Sequence, residues 1–122
     1  MGTRAQVKVV SDCEHEAPVF LYQHYDGDQL LKTVKKAIRK KQRWNDFEYL
    51  CRIIFSEMIK DYINDETGYG IGTNVHSDLD YLIVVDLKTQ TITECNYYDT
   101  ITEEITFQEV VNEGKHKTLW KE

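Results

Sequence analysis

The segment Asp80-Tyr81-Leu82-Ile83-Val84-Val85-Asp86-Leu87 is the strongest constraint in this chain. It is a nearly continuous apolar run, β-branched in the middle and shorter than a stable helix. A strand with apolar side chains on both faces belongs at the centre of a sheet, so this segment requires neighbours on both sides. A short turn at Lys88-Thr89-Gln90 leads into a second β-branched run, Thr91 to Tyr98. A shorter strand is predicted from Ile101 to Ile105. At the start of the chain Ala5, Val7 and Val9 alternate with Gln6 and Lys8, the period of a half-buried strand. The polar stretch Ser11 to Pro18 joins it to an aromatic-rich strand, Val19 to Tyr25, and the pair reads as a hairpin.

Between these strands the periodicity changes from two to about 3.6. Asp26-Gly27-Asp28-Gln29 is spaced as a helix start, with Asp26 as N-cap and Gln29 answering it. That helix would turn Leu30, Leu31, Val34, Ala37 and Ile38 inward and its basic residues outward. A second start falls at Asn45, with Glu48 three residues on and Trp44 and Tyr49 as a hydrophobic staple. Phe47, Leu50, Cys51, Ile54, Met58 and Tyr62 then recur at three- and four-residue steps. Residues 64–77 contain Gly68, Gly70 and Gly72 and read as a mobile loop. Thr106 is placed to cap a short helix from Phe107 to Glu113, stopped by Gly114. The expected fold is α+β: a mainly antiparallel sheet with two helices packed on one face, in the order β-β-α-α-β-β-(β)-α. One domain over residues 1–122 is expected, with 115–122 a tail that is polar apart from Leu119 and Trp120.

With 122 residues, one proline and six glycines, the chain suits a single core and holds no linker. The three cysteines, Cys13, Cys51 and Cys95, are odd in number and widely spaced, which fits a reducing compartment and neither a disulfide framework nor a zinc site. No signal-peptide pattern opens the chain, and no apolar run approaches the roughly 20 residues of a membrane span. A cytoplasmic protein is expected, with no membrane partner.

The charge is segregated. Seven basic residues (Lys32, Lys35, Lys36, Arg39, Lys40, Lys41, Arg43) occur with no acidic residue among them, leaving −13 on the remainder of a chain whose net charge is −6. One reading is an anion-binding surface that uses Lys36, Arg39, Lys40 and Arg43. The plainer one is a solvated helix face balanced by the acidic remainder. A nucleic-acid binder would more often be basic overall, so a small anion or an acidic protein suits the charge better.

Two further clusters carry candidate chemistry. His24, Tyr25 and Asp26, at a strand end that leads into a helix, could line a pocket near free helix N–H groups; capping and turn formation account for Asp26 and Gly27 equally well. His76, Asp78 and Asp80 alternate, so an extended chain projects them from one face, and together they are acceptable divalent-metal ligands. Acids that serve solubility at a strand start are the competing account. Gly68-Tyr69-Gly70-Ile71-Gly72 follows a helix and precedes a strand, the reverse of a dinucleotide-binding loop. No nucleophile elbow, Walker sequence or HExxH is present. Cys51 lies on the apolar stripe of the second helix and reads as core.

Met1-Gly2-Thr3-Arg4-Ala5, followed by Leu21-Tyr22-Gln23-His24-Tyr25-Asp26-Gly27, resembles a widespread group of small uncharacterised proteins from phages and bacterial mobile elements. The group shares an N-terminal MGTRA opening and a Y-x-H-x-D-G element. Tyr69-Gly70-Ile71 and Asp80-Tyr81-Leu82-Ile83-Val84 also suit it, so the likeness spans about positions 1–100. Many members continue D-G-Y-P, where this chain has Asp28-Gln29 after Gly27. The resemblance implies a phage-type accessory protein acting in the host cytoplasm. Such proteins inhibit host defences, anti-CRISPR action being one form, by binding a host complex or sequestering a nucleotide signal.

The favoured expectation is therefore a non-enzymatic inhibitor or sponge without a cofactor, binding an anionic ligand or a host defence protein through Arg4, His24, Tyr25, Asp26, Lys36, Arg39, Lys40 and Arg43. The alternatives are a small metal-dependent phosphodiesterase or nuclease built on the His and Asp clusters, and a nucleic-acid-binding accessory protein using the basic helix. Self-association is a further expectation, with the tyrosine-rich strand Thr91 to Tyr98 at a sheet edge pairing across a two-fold axis.

Overall fold

The central position required of the apolar run is the one it takes. In the computed structural model, which describes residues 3–113, six strands form one sheet. In chain order they are β1 (Ala5–Val10), β2 (Val19–Gln23), β3 (Tyr69–Gly72), β4 (Tyr81–Asp86), β5 (Thr91–Asn96) and β6 (Ile101–Thr106). Across the sheet the order is β3-β2-β1-β4-β5-β6. The β1–β4 pair is parallel, with Val7 beside Ile83, and all other neighbours are antiparallel. Two helices, α1 (Leu30–Arg39) and α2 (Phe47–Ile59), lie in the chain between β2 and β3, and residues 107–113 are helical after β6. The fold is α+β with a mainly antiparallel sheet.

Register decides which face meets the helices. Ala5, Val7 and Val9 of β1 lie beside Tyr81, Ile83 and Val85 of β4, while Leu21, Ile92 and Ile105 continue the row. This row forms one core with Leu30, Val34, Ala37 and Ile38 of α1, Leu50, Ile54 and Met58 of α2, and Phe107 and Val110 of the last helix. The opposite face carries Lys8, Phe20, Tyr22, Leu82, Val84 and Cys95, and among the described residues no helix packs there. The loop after β3 crosses one end of it: the buried Gln6 amide donates to the Asn74 carbonyl at 3.2 Å and accepts from the His76 N–H at 2.8 Å.

Several expected details differ. Asp26 does not cap a helix: it adopts the left-handed conformation (φ 56°) and its side chain accepts no capping bond. Residues Gly27–Gln29 form a 3-10 turn before α1 begins at Leu30. The buried Gln23 amide organises this corner by donating to the carbonyls of Tyr25 (2.7 Å) and Asp26 (3.1 Å). The N-cap of α2 is Asp46, one residue beyond Asn45, and it accepts from the Tyr49 N–H at 3.3 Å. The stretch expected to be wholly loop contains β3, whose Ile71 and Gly70 pair with Leu21 and Tyr22. Because β6 pairs along its far side, β5 is an interior strand; β3 and β6 are the edges. The edge pairing expected of the Thr91–Tyr98 strand is thereby ruled out. The stop at Gly114 and the tail 115–122 lie outside the described residues. No helix among the described residues is long and apolar enough to cross a membrane.

Candidate functional site

The residues singled out in the sequence fall in two separate places. The first is the end of the sheet where β1 and β4 begin and β2 finishes. Arg4 stands just before β1, and its guanidinium pairs with Asp78, both side chains about half exposed. The Arg4 N–H donates to the Asp80 carboxylate at 2.9 Å, and the Asp80 N–H returns a bond to the Arg4 carbonyl at 2.8 Å. Beside this clasp the His76 ring stacks on Tyr22 with centroids 4.5 Å apart. The Tyr22 hydroxyl lies 3.0 Å from His24 Nδ1, and His24 meets the edge of Tyr25. Burial pushes the Tyr22 hydroxyl above the ordinary phenol range, with Arg4 opposing the shift and Asp78 adding to it.

This geometry does not assemble the metal-ligand set considered above. His76 is stacked, Asp78 is on the Arg4 side chain, and Asp80 is on the Arg4 backbone. Among the described residues no group of three His, Cys, Asp or Glu side chains converges as a metal site. Tyr25 and Asp26 turn away from the clasp into a cleft they share with Asp65 and Glu66, where an anion would meet three carboxylates.

The second place is α1 and the loop after it. Lys40 reaches α2 and pairs with Glu57 at 3.1 Å. Arg43 lies over the Tyr49 ring at 4.9 Å and faces Asp46 at 4.0 Å. Arg43 borders a different cavity, with Lys41, Trp44 and Asp46, whereas Lys36 borders one with Glu57, the partner of Lys40. Lys36 and Arg39 line a groove of about 480 Å³ with Asp28, Leu31, Lys32, Lys35 and Glu94. Arg39 donates from Nε to the Val110 carbonyl at 3.2 Å and faces Glu113 at 3.4 Å. Lys35, with only 12% of its side chain exposed, pairs with Glu103 and Glu113. Among the described residues Lys32 and Lys36 have no carboxylate partner, and both are exposed.

The basic run is therefore mixed. Lys35, Arg39 and Lys40 fasten α1 to the last helix, to β6 and to α2, while Lys32 and Lys36 remain available on the groove rim. Lys32 belongs to the run already noted. Glu103 and Glu113 could not be linked to it by any local spacing, because they lie 68 and 78 residues beyond Lys35 along the chain. The missed ring of the first cluster is Tyr22. Its place two residues before His24 on an alternating strand was the available signal.

No family model, curated protein or solved structure matches this chain. The fold and the groove define an α+β protein with one helix-covered sheet face and a cation-lined groove along α1.

Proposed function

We propose that this is a non-enzymatic binding protein of the phage-accessory type that its N-terminal elements resemble, acting as an inhibitor or sponge that holds a phosphate-bearing ligand in the α1 groove. The observation that supports the reading is the pair Lys32 and Lys36, without an ion-pair partner among the described residues, on a groove whose other cations are Lys35 and Arg39 and whose carboxylates are Asp28 and Glu94. A cleft of this size fits a nucleotide. Its apolar wall, Leu31 with the lysine stems, suits a base or ribose, and the ammonium groups suit phosphate. Lys35 and Arg39 are already neutralised in part by Glu103 and Glu113, so affinity would depend on Lys32 and Lys36 and fall steeply with salt.

The test is fluorescence anisotropy with a labelled cyclic dinucleotide at low and physiological ionic strength, on the wild type and on Lys32→Glu/Lys36→Glu. The reading expects saturable binding, weakened at least tenfold in the double variant while the melting temperature stays put. Binding unaffected by the double variant, or no binding at low salt to this probe and to a protein-free nucleotide extract, refutes the groove as the seat of an anion.

A further inference from the structure

The corner that an anion would avoid has a chemistry of its own. The residues after α2 run through Tyr62, Asp65 and Glu66 before entering β3 at Tyr69. Together with Tyr25 and Asp26, at the end of β2, they enclose a cleft of about 570 Å³. Its walls include three tyrosine rings and three carboxylates, and no lysine or arginine lines it. Tyr62 and Tyr69 are stacked with centroids 5.5 Å apart and 21° between planes. Tyr25, 55% exposed, lines the same cleft, with Gly68 against one edge of its ring. Among the described residues, the carboxylates of Asp26, Asp65 and Glu66 have no ion-pair partner.

The cleft is also held in shape. The Tyr62 N–H donates to the Ile59 carbonyl at 2.7 Å and the Asp65 N–H to the Tyr62 carbonyl at 3.0 Å. The His24 N–H fixes the Gly68 carbonyl at 2.8 Å, tying the loop to the end of β2. The left-handed backbone of Asp26 is set by the two bonds from the Gln23 amide. Two of the carboxylates act on the Tyr69 ring. Burial is the main cause that pushes the Tyr69 hydroxyl upward, and Tyr62, Asp26 and Asp65 push it the same way.

Aromatic faces present a negative quadrupole, and rings grouped around a small space bind alkylammonium ions, most strongly when carboxylates stand beside them. The same field repels phosphates and carboxylates. An uncharged ligand would gain the ring contacts but leave three carboxylates without a counter-charge. We infer that the cleft of Tyr25, Tyr62 and Tyr69, rimmed by Asp26, Asp65 and Glu66, is a binding site for a small alkylammonium compound such as a polyamine or a trimethylammonium ion. Asp26, Tyr62 and Tyr69 also border a second, smaller cavity lined by Lys36 and Lys60, and the inference does not rest on the anion reading of the α1 groove.

Isothermal titration with tetramethylammonium and with spermidine tests this on the intact protein, alongside proton NMR of the tyrosine rings. Tetramethylammonium cannot donate a hydrogen bond, so its binding reports the rings. Spermidine adds charge and N–H donors. The expected result is saturable binding of both, with shifts of the Tyr62 and Tyr69 ring signals. Tyr25→Ala should weaken tetramethylammonium at least fivefold, and Glu66→Gln should weaken spermidine more than tetramethylammonium. Both positions are exposed, so neither variant puts folding at risk. Three outcomes overturn the site: no binding of either probe at millimolar concentration, binding unchanged by both variants, or spermidine binding alone that vanishes at 150 mM salt.

Discussion

The Gly27 N–H donates to the Thr3 carbonyl at 2.9 Å, and this one bond joins the start of the chain to the end of β2. The strand end Tyr22-Gln23-His24-Tyr25-Asp26-Gly27 folds back so that Gly27 lies directly against the residues that lead into β1. A Cβ at position 27 would stand 2.6 Å from the Thr3 oxygen and 3.0 Å from the Ala5 Cβ. The Asp-Gly pair is thus a place where two backbones touch. Glycine is required there by that contact, because its φ is not in the left-handed region.

Gly27→Ala should therefore destabilise the fold by about 1–3 kcal/mol, the range for forcing a methyl into a filled space. Gly70 is the control, because a Cβ there meets nothing within 4 Å. Gly70→Ala should leave stability unchanged or raise it by up to about 1 kcal/mol through the unfolded chain. Urea denaturation of both variants, with constant slope, checks the contrast. Equal stability of the two proteins would show that the Thr3 segment simply moves aside.

Glu57 gives the fold a pH dependence with a defined sign. Its side chain is only 8% exposed and lies between Lys60 at 2.9 Å and Lys40 at 3.1 Å. Chiefly through the Lys60 hydrogen bond, its carboxyl is held below the ordinary glutamate range. Near the ordinary value of 4.5 the unfolded chain binds more protons than the folded one. The contribution is then complete above that value and is lost as pH falls through the lower folded one. Both lysines are about half exposed, so the effect is modest: Glu57→Gln should cost about 1 kcal/mol at pH 7. The gap between wild type and variant should close in denaturation curves taken at pH 3. A gap that persists there would mean that the amide disturbs packing and not charge.

The parts of this fold that were legible are those fixed by local chemistry. The apolar run at β4 is central, as its two-sided character demands. At the last helix the Thr106 hydroxyl accepts from the Glu109 N–H at 3.1 Å, and the Glu109 carboxylate accepts from the Thr106 N–H at 3.0 Å. Asp26 was misread because the Gln23 amide, acting from the preceding strand, holds the Tyr25 and Asp26 carbonyls in a left-handed turn. The glycine-rich β3 has little strand propensity of its own, so its pairing depends on β2. The interior position of β5 follows from β6 and cannot be seen within β5. The same holds for the candidate site. The charge run on α1 was plain in the sequence, but the division into paired and free cations is set by Glu57, Glu103 and Glu113, which reach it only through the tertiary fold.

The cysteines should differ sharply in reactivity. Cys13 is exposed, whereas Cys51 packs against the core from α2. Burial, reinforced by the charges of Glu16 and Glu48, pushes the Cys51 thiol up to about 12. At pH 8 it is almost entirely protonated, and the thiolate is the reactive form. Brief iodoacetamide treatment of the native protein, followed by peptide mass spectrometry, should find Cys13 modified and Cys51 intact. Denaturant should expose Cys51 to the reagent. Rapid native labelling of Cys51 would contradict the packing of α2 on the sheet.

Lys32 and Lys35 lie one turn apart on α1 and should behave in opposite ways. Lys35 is nearly enclosed and holds Glu103 on β6 and Glu113 on the last helix, whereas Lys32 has no partner among the described residues. Lys35→Met keeps most of the stem but leaves Glu103 without a cation and Glu113 with Arg39 alone. Each of those is 38% exposed, so water relieves part of the penalty, and a loss of about 1–2 kcal/mol is expected. Lys32→Met should change stability by less than about 0.5 kcal/mol. Adding Glu103→Gln to Lys35→Met should recover part of the loss, because it removes the carboxylate left unpaired, and a double-mutant cycle measures that coupling. On the proposed anion reading the order reverses for binding, with Lys32→Met expected to weaken it directly and Lys35→Met only through the position of α1. If Lys35→Met proved as stable as the wild type, the ion pairs would be incidental, and Lys35 would join Lys32 and Lys36 as a cation free to meet a phosphate.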